Sequence, residues 1–149
     1  MKSVSIFAGI FVAAASFTSM ASANTMVTVQ GSAASAQSPA DAGCLTRAGV
    51  GITNTCNRLV SVAIGLPYIG VDTSVMSAYF DGRNNGGTTL CVLADYQFNG
   101  TFITSNLAST NVVGQFDLPT SIAAPPQFAY IYLGCNLSAG SSLLGAVIY

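Results

Sequence analysis

The sequence predicts an all-β protein, an antiparallel β-sandwich of about seven or eight strands held by two disulfides. Short apolar or alternating runs recur every ~8–12 residues, with Gly, Asn and Pro between them, as in sandwiches. No segment has the sustained helical periodicity and capping residues of an α-helix. A small closed β-barrel would fit the same spacing and is the alternative.

The first 23 residues have the features of an export signal. Lys2 supplies a positive charge, Val4–Phe17 is almost wholly apolar, and Ala21-Ser22-Ala23 matches the small-x-small cleavage pattern. The apolar run is shorter than the ~20 residues of a membrane span, and no later run is longer. We therefore expect cleavage near Ala23, no transmembrane segment in the mature chain, and a periplasmic or extracellular location.

The mature chain is predicted to begin with a lead-in and continue as one domain. Residues 24–43 are rich in Ala and Ser and predict a flexible segment, with one short edge strand at Met26–Val29. Residues 44–149 are predicted to form a single sandwich domain.

Four cysteines follow the leader, namely Cys44, Cys56, Cys91 and Cys135. An even number in an exported chain favours disulfides. Zinc is disfavoured because no pair has the short spacing of a zinc site and no His is present. Three connectivities are open, and we favour Cys44–Cys56 with Cys91–Cys135, because the first pair flanks one short segment and the second joins two strand-like runs.

The predicted strands alternate in hydrophobicity and are bounded by turn residues. They are Arg58–Gly65, Val75–Phe80, Thr88–Ala94, Gly100–Ser105, Asn111–Leu118, Gln127–Leu137 and Ser142–Tyr149. In the sixth of these runs, alternation predicts one core face (Ala129, Ile131, Leu133, Cys135 and Leu137). Tyr130 and Tyr132 then share the opposite face and are the predicted binding surface, for a glycan or a protein. The alternative is an aromatic pair that only stabilises the sheet.

The segment Asp81–Gly87 is the strongest turn signal in the chain. Asn and Gly accept the positive φ values of tight hairpins, so a hairpin is the favoured interpretation. A weak calcium loop through Asp81, Asn84 and Asn85 is the alternative. It departs from an EF-hand because Arg83 takes a ligand position and no Glu closes the loop. We predict no metal and no cofactor.

The composition of the mature chain argues against catalysis. Beyond the leader there is no His, Glu, Lys or Trp. An activated Ser or Cys lacks its base, which excludes Ser–His, Cys–His and Ser–Lys enzymes. A glycan hydrolase built on two of Asp72, Asp81, Asp95 and Asp117 is a remote alternative. No basic patch is present, which argues against a nucleic-acid partner.

Two uncharged, aromatic, β-prone runs suggest a second possibility. Phe128–Leu133 and Leu143–Tyr149 lack the charges that guard strand edges. If they are edges, the protein is a structural subunit that self-associates into a pilus- or fibre-like assembly. The alternative is that both are central strands, fully paired within the domain.

Several short segments resemble a loose group of small exported bacterial proteins of unknown function. The resemblance rests on Asn54-Thr55-Cys56, Gly65-Leu66-Pro67, Tyr79-Phe80-Asp81, Leu90-Cys91-Val92-Leu93 and Leu133-Gly134-Cys135-Asn136-Leu137. It implies export and a β-sandwich, and no activity. We therefore predict a secreted or periplasmic, non-catalytic binding or envelope-associated module whose ligand the sequence does not identify.

Overall fold

A computed structural model of the chain describes residues 26–67, 75–97, 99–123 and 129–149. Its strands, β1 to β11, are Val27–Gln30, Ser35–Ala36, Leu45–Ala48, Gly51–Asn54, Val60–Pro67, Val75–Asn84, Thr89–Gln97, Phe102–Thr110, Gly114–Ala123, Ala129–Leu137 and Ser142–Ile148. Two 3₁₀ segments, Gly31–Ala33 and Pro39–Cys44, complete the regular structure. The predicted signal peptide, residues 24 and 25, Asp72 and Phe128 lie outside the described residues. None of the helical segments described is long and apolar enough to cross a membrane.

The strands form two antiparallel sheets, which confirms the predicted sandwich. The six-stranded sheet has the order β3-β4-β11-β6-β9, with β1 also paired to β11. The five-stranded sheet has the order β2-β5-β10-β7-β8. The closed-barrel alternative is wrong, because each strand pairs only within its own sheet.

The core lies between the two sheets and is built mainly by alternation along the strands. In β10 the predicted inward residues Ala129, Ile131 and Leu133 are buried, whereas Tyr130 is exposed. Phe80 from the six-stranded sheet belongs to the same buried cluster. Burial of apolar surface, at ~25 cal/mol per Å², is the main force that holds the sheets face to face.

Both predicted disulfides are confirmed. Cys91 on β7 lies directly opposite Cys135 on β10, at the centre of the five-stranded sheet. Cys44 and Cys56 bracket the β3–β4 hairpin at the edge of the six-stranded sheet. The sequence does not signal this hairpin, because its strands are only four residues long and show no clear alternation.

Most of the described residues of the predicted lead-in have regular secondary structure. The short strand near Met26 is present as β1, which pairs with β11 over four residues. Beyond it, β2 pairs with β5. Asp41 forms an ion pair with Arg58. β1 and β2 are held by backbone pairing with β11 and β5, so this segment shows no alternation of apolar and polar residues.

The predicted turn at Asp81–Gly87 begins later than expected. Residues Asp81 to Asn84 continue β6, because all four pair with β9 and the first three also pair with β11. Asn84 then ends the strand with a buried side chain. Its Oδ1 accepts hydrogen bonds from Thr89, Ser138 and Ser141 at 3.0–3.1 Å. The polar, Gly-rich composition of this segment therefore predicted a turn where the chain continues a strand. The side chain of Asn84 can be buried there because three hydrogen bonds satisfy its oxygen.

The two runs proposed as assembly edges are central strands. The described part of Phe128–Leu133 belongs to β10, which pairs with β5 and β7. Leu143–Tyr149 contains most of β11, which pairs with β6 on one side and with β1 and β4 on the other. Both runs are uncharged because they are buried in the sheets, and the self-assembly hypothesis loses the edges on which it rested.

Candidate functional site

Tyr130 and Tyr132 lie side by side on the outer face of the five-stranded sheet, the face turned away from the six-stranded sheet. Tyr130 is 40% exposed. Across the ladder, Tyr130 is opposite Tyr96 of β7. Tyr132 is opposite Gly65 of β5. The structure therefore places the two predicted binding residues together and adds a third tyrosine beside them.

Two glycines allow these rings to lie close to the backbone of the sheet. A Cβ at position 65 would collide with the phenol of Tyr130. A Cβ at position 134 would lie 2.6–2.8 Å from three atoms of the Tyr132 ring and hydroxyl. Only glycine permits such close approach. Each tyrosine therefore covers a glycine and forms part of a low aromatic floor.

Tyr96 stands against this floor. Its ring is 6.2 Å from that of Tyr132, centroid to centroid, at an interplanar angle of 78°. In an edge-to-face contact one of the two rings keeps both of its faces uncovered, whereas in a parallel stack each ring loses one face. The result is a shallow cavity of about 350 Å³ lined by Tyr96, Gln97, Gly100, Tyr130 and Tyr132, called the tyrosine cleft below.

Polar groups at the cleft can fix the orientation of a ligand. Gln37, held by a backbone hydrogen bond to Ser61, donates its Nε2 to the Tyr132 hydroxyl. Burial raises the pKa of the Tyr132 phenol, while the Gln37 hydrogen bond opposes the rise. The phenol is therefore protonated at neutral pH, and its O–H remains available to donate because its oxygen accepts from Gln37.

The rim of the cleft is the β7–β8 turn. The backbone N–H of Gly100 bonds to the carbonyl of Gln97, and that of Gln97 bonds to the carbonyl of Thr101. Gly100 has a φ of 83°, which accounts for glycine at this position. None of the described residues that line the cleft carries a formal charge.

Asp95 lies on the other side of β7, directly beneath this site. Its side chain is fully buried, and neither carboxylate oxygen has a hydrogen-bond partner. Burial raises the pKa of this carboxyl above its ordinary value. Burial without a hydrogen-bond partner disfavours the ionised form of this carboxyl.

The sequence does not indicate that Tyr96, Gln37 and Gln97 lie beside Tyr130 and Tyr132. The predicted strand stops at Ala94, although two more residues of the same alternation would have placed Tyr96 on the outer face. Gln37 belongs to the segment predicted to be flexible, and Gln97 belongs to the end of β7. No sequence pattern relates these positions, which become neighbours only through the pairing of β2, β5, β10 and β7.

The residues of the predicted calcium loop do not converge. Asp81 and Asn84 are three positions apart on one strand, so their side chains point to opposite faces. Asn84 is committed to its buried hydrogen bonds, and Asn85 is exposed. Among the residues that the structure describes, no cluster of three or more His, Cys, Asp or Glu forms.

Of the four aspartates considered for glycan hydrolysis, the structure brings two together. Asp81 on β6 is directly opposite Asp117 on β9, on the outer face of the six-stranded sheet. Burial, and then the charge of Asp117, raises the pKa of Asp81. Asp95 belongs to the other sheet. The pair lies far in the fold from the tyrosine cleft, because the two outer faces point in opposite directions.

No family model matches the chain, and no curated protein matches it significantly. Among solved structures, it is similar to TmCBM61 in complex with β-1,4-galactotriose, at 8% identity and a TM-score of 0.47. That match covers 85% of this chain and 88% of the other. It is also similar to the enzymatically active domain of tailspike protein 4 of bacteriophage CBA120, at 11% identity and a TM-score of 0.43. The latter covers 84% of this chain and 18% of the other.

Proposed function

We propose that this protein is an exported, non-catalytic carbohydrate-binding module and that the tyrosine cleft holds its ligand. The observation that carries the proposal is the floor of the cleft. Tyr130 and Tyr132 lie over Gly65 and Gly134, beside the upright ring of Tyr96.

The chemistry of the cleft suits a sugar. A pyranose ring presents C–H groups on its faces and hydroxyl groups around its edge. The C–H groups pack against the negative faces of aromatic rings. Its hydroxyl groups can then form hydrogen bonds with the side-chain amide of Gln97 and the O–H of Tyr132 at the border of the cleft.

The size and shape of the site favour a small ligand over a protein surface. The volume of about 350 Å³ is within the range of ~300–1,000 Å³ typical of small-molecule pockets. A stable protein interface removes about 800 Å² from each partner, which calls for a broader patch.

We propose no catalytic activity for the module. Apart from the tyrosines, no titratable residue is among the described residues that line the cleft. The paired carboxylates Asp81 and Asp117 are on the opposite outer face. General acid–base catalysis needs such a group within hydrogen-bond reach of the substrate. Export is supported by the two disulfides, which persist in oxidising compartments.

A glycan array tests the proposal. The mature chain is applied to immobilised neutral and acidic oligosaccharides, beside the double variant Tyr130→Ala/Tyr132→Ala and the control Tyr79→Ala. Tyr79 is a half-buried tyrosine on the outer face of the other sheet. We expect binding to a subset of glycans, a loss of at least about tenfold in the double variant, and no change in the control.

Folding of each variant is checked by thermal unfolding, so that a lost structure is not counted as lost binding. The proposal fails if the wild-type chain binds no glycan, or if the folded double variant binds as well as the wild type. It also fails if the tyrosines instead hold two copies together, which sedimentation over a range of concentrations would reveal.

A further inference from the structure

A row of aromatic rings crosses the five-stranded sheet and continues beyond the tyrosine cleft. Tyr132 of β10 is followed by Tyr96 of β7, and Tyr96 by Phe102 of β8. The Tyr96 and Phe102 centroids are 5.6 Å apart at an interplanar angle of 70°. Phe102 is 54% exposed and is not among the residues that line the cleft. A single sugar in the cleft would leave this third ring unused.

A register shift places Phe102 in the row. Asp95 pairs with Thr104, but the next residue, Tyr96, pairs with Phe102, so Ile103 is skipped. Regular pairing would set Ile103 opposite Tyr96. Bulges commonly redirect a side chain in this way, and here the shift brings an aromatic ring beside Tyr96 on the outer face.

The row is also free of charge. Tyr132, Tyr96 and Phe102 are uncharged, and their polar neighbours Gln37 and Gln97 are amides. A ligand with carboxylate or sulfate groups would find no described cation along this line, so the row is suited to neutral sugars.

We infer, on the basis of the proposed function, that the ligand is an uncharged glycan chain that runs across β10, β7 and β8. The tyrosine cleft holds one sugar unit, and Phe102 holds a later unit of the same chain on the far side of Tyr96. Phe102 is thus a second subsite that only longer chains reach. The tyrosines of the cleft, in contrast, bind ligands of every length.

A length series by isothermal titration calorimetry tests this inference. The probes are neutral cello-, xylo-, manno- and galacto-oligosaccharides from disaccharide to hexasaccharide, with galacturonic acid oligosaccharides as the charged comparison. We expect wild-type affinity to rise with length until the row is covered. Phe102→Ala should weaken the longer ligands about fivefold and leave the disaccharide unchanged, whereas Tyr132→Ala should weaken every length.

The control is Leu107→Ala. Leu107 is on the same strand, is 57% exposed, and lies opposite Val92, further along the outer face from the row. Its replacement should change no affinity. If Phe102→Ala behaves like this control at every length while Tyr132→Ala weakens binding, the inference is wrong and the proposed function stands. If Tyr132→Ala has no effect, or no probe binds, the proposed function itself is wrong. Equal affinity for the charged oligosaccharides would overturn the preference for a neutral chain.

Discussion

The outer faces of the two sheets both carry tyrosines, but the rings are arranged differently. On the six-stranded sheet, Tyr79 and Tyr149 stack with centroids 5.6 Å apart and an interplanar angle of 16°, so each covers a face of the other. On the five-stranded sheet, Tyr96 meets Tyr132 at 78°. Edge-to-face contact leaves ring faces open to a ligand.

The two outer faces also differ in charge. The six-stranded sheet places Asp81 opposite Asp117 on its outer face. The tyrosine cleft on the five-stranded sheet has no charged residue in its described lining, and the carboxylate nearest to it in sequence, Asp95, points into the core. The proposed binding face therefore differs from the other outer face in ring orientation and in its lack of charge, not in aromatic content alone. Both differences follow from which residues each register brings together.

The largest expected effect concerns the two disulfides, one within the five-stranded sheet and one that brackets the β3–β4 hairpin. Cys91–Cys135 closes a separation of 44 residues, and Cys44–Cys56 one of 12. In the chain-entropy model these are worth ~4 and ~3 kcal/mol. Replacing Cys91 and Cys135 with Ala also opens a cavity between buried residues, which adds to its cost. In denaturant unfolding, the free energy lost by replacing Cys91 and Cys135 should exceed that lost by replacing Cys44 and Cys56. The reverse order would contradict the larger stabilisation expected from the disulfide of the five-stranded sheet.

The second prediction concerns Asp95 beneath the cleft. Because burial raises its pKa in the folded state, this carboxyl favours folding at low pH, and that contribution is lost as pH rises through the raised pKa. Asp95→Asn should therefore increase the free energy of unfolding at pH ~7, because the amide carries no charge that burial disfavours. The gain should vanish below pH ~4, where the unfolded carboxyl is protonated too.

Asp117→Asn is the matched control for the loss of one negative charge, and it should change stability by less than ~1 kcal/mol. Unfolding curves over a pH series measure both variants. A destabilised Asp95→Asn at neutral pH would mean that the carboxylate has a partner in the folded protein and that this account of the core is mistaken.

The third prediction tests the glycine floor. Gly65→Ala should displace the tip of Tyr130, a flexible side chain, and weaken oligosaccharide binding about tenfold with less than ~1 kcal/mol lost in stability. Gly82→Ala on the six-stranded sheet makes the contrast, since a Cβ there would meet the Ser142 carbonyl and the Phe116 ring. That variant should lose ~1–3 kcal/mol of stability and keep its affinity. Calorimetry and thermal unfolding separate the two outcomes, and unchanged binding by Gly65→Ala would show that the floor is not needed.

The smallest effect is expected from the carboxylate pair. Like charges directly opposite on neighbouring strands destabilise a sheet, and the pKa of Asp81 is raised by burial and by Asp117. Asp117→Asn should raise the free energy of unfolding by ~0.2–1 kcal/mol at neutral pH, with no gain in acid where both carboxyls are protonated. A loss of stability at neutral pH would mean that the pair is held by a cation.

Strand positions were predictable where one face of the strand is buried. Alternation located β10 and its core residues, and it separated Tyr130 and Tyr132 from them. It failed for β2, β3 and β4, which are four residues or shorter and depend on pairing with existing strands. It also failed at Asp81–Asn84, where polar residues continue a strand because a buried hydrogen-bond network satisfies Asn84.

The candidate site was predictable only in part. Two tyrosines with period-two spacing are visible in the sequence. Tyr96, Phe102 and Gln37 join them through strand order and a register shift, which no local pattern encodes. For the same reason the two aromatic runs were mistaken for possible edges, since their lack of charge fits a buried central strand equally well.

The most direct test of the central claim compares both outer faces in one titration. The mature protein, isotopically labelled, is titrated with the neutral oligosaccharide that binds most tightly, and the ring resonances of all tyrosines are followed by NMR. The account predicts shifts for Tyr96, Tyr130 and Tyr132, with those of Tyr79 and Tyr149 unmoved. Shifts confined to Tyr79 and Tyr149 would contradict it.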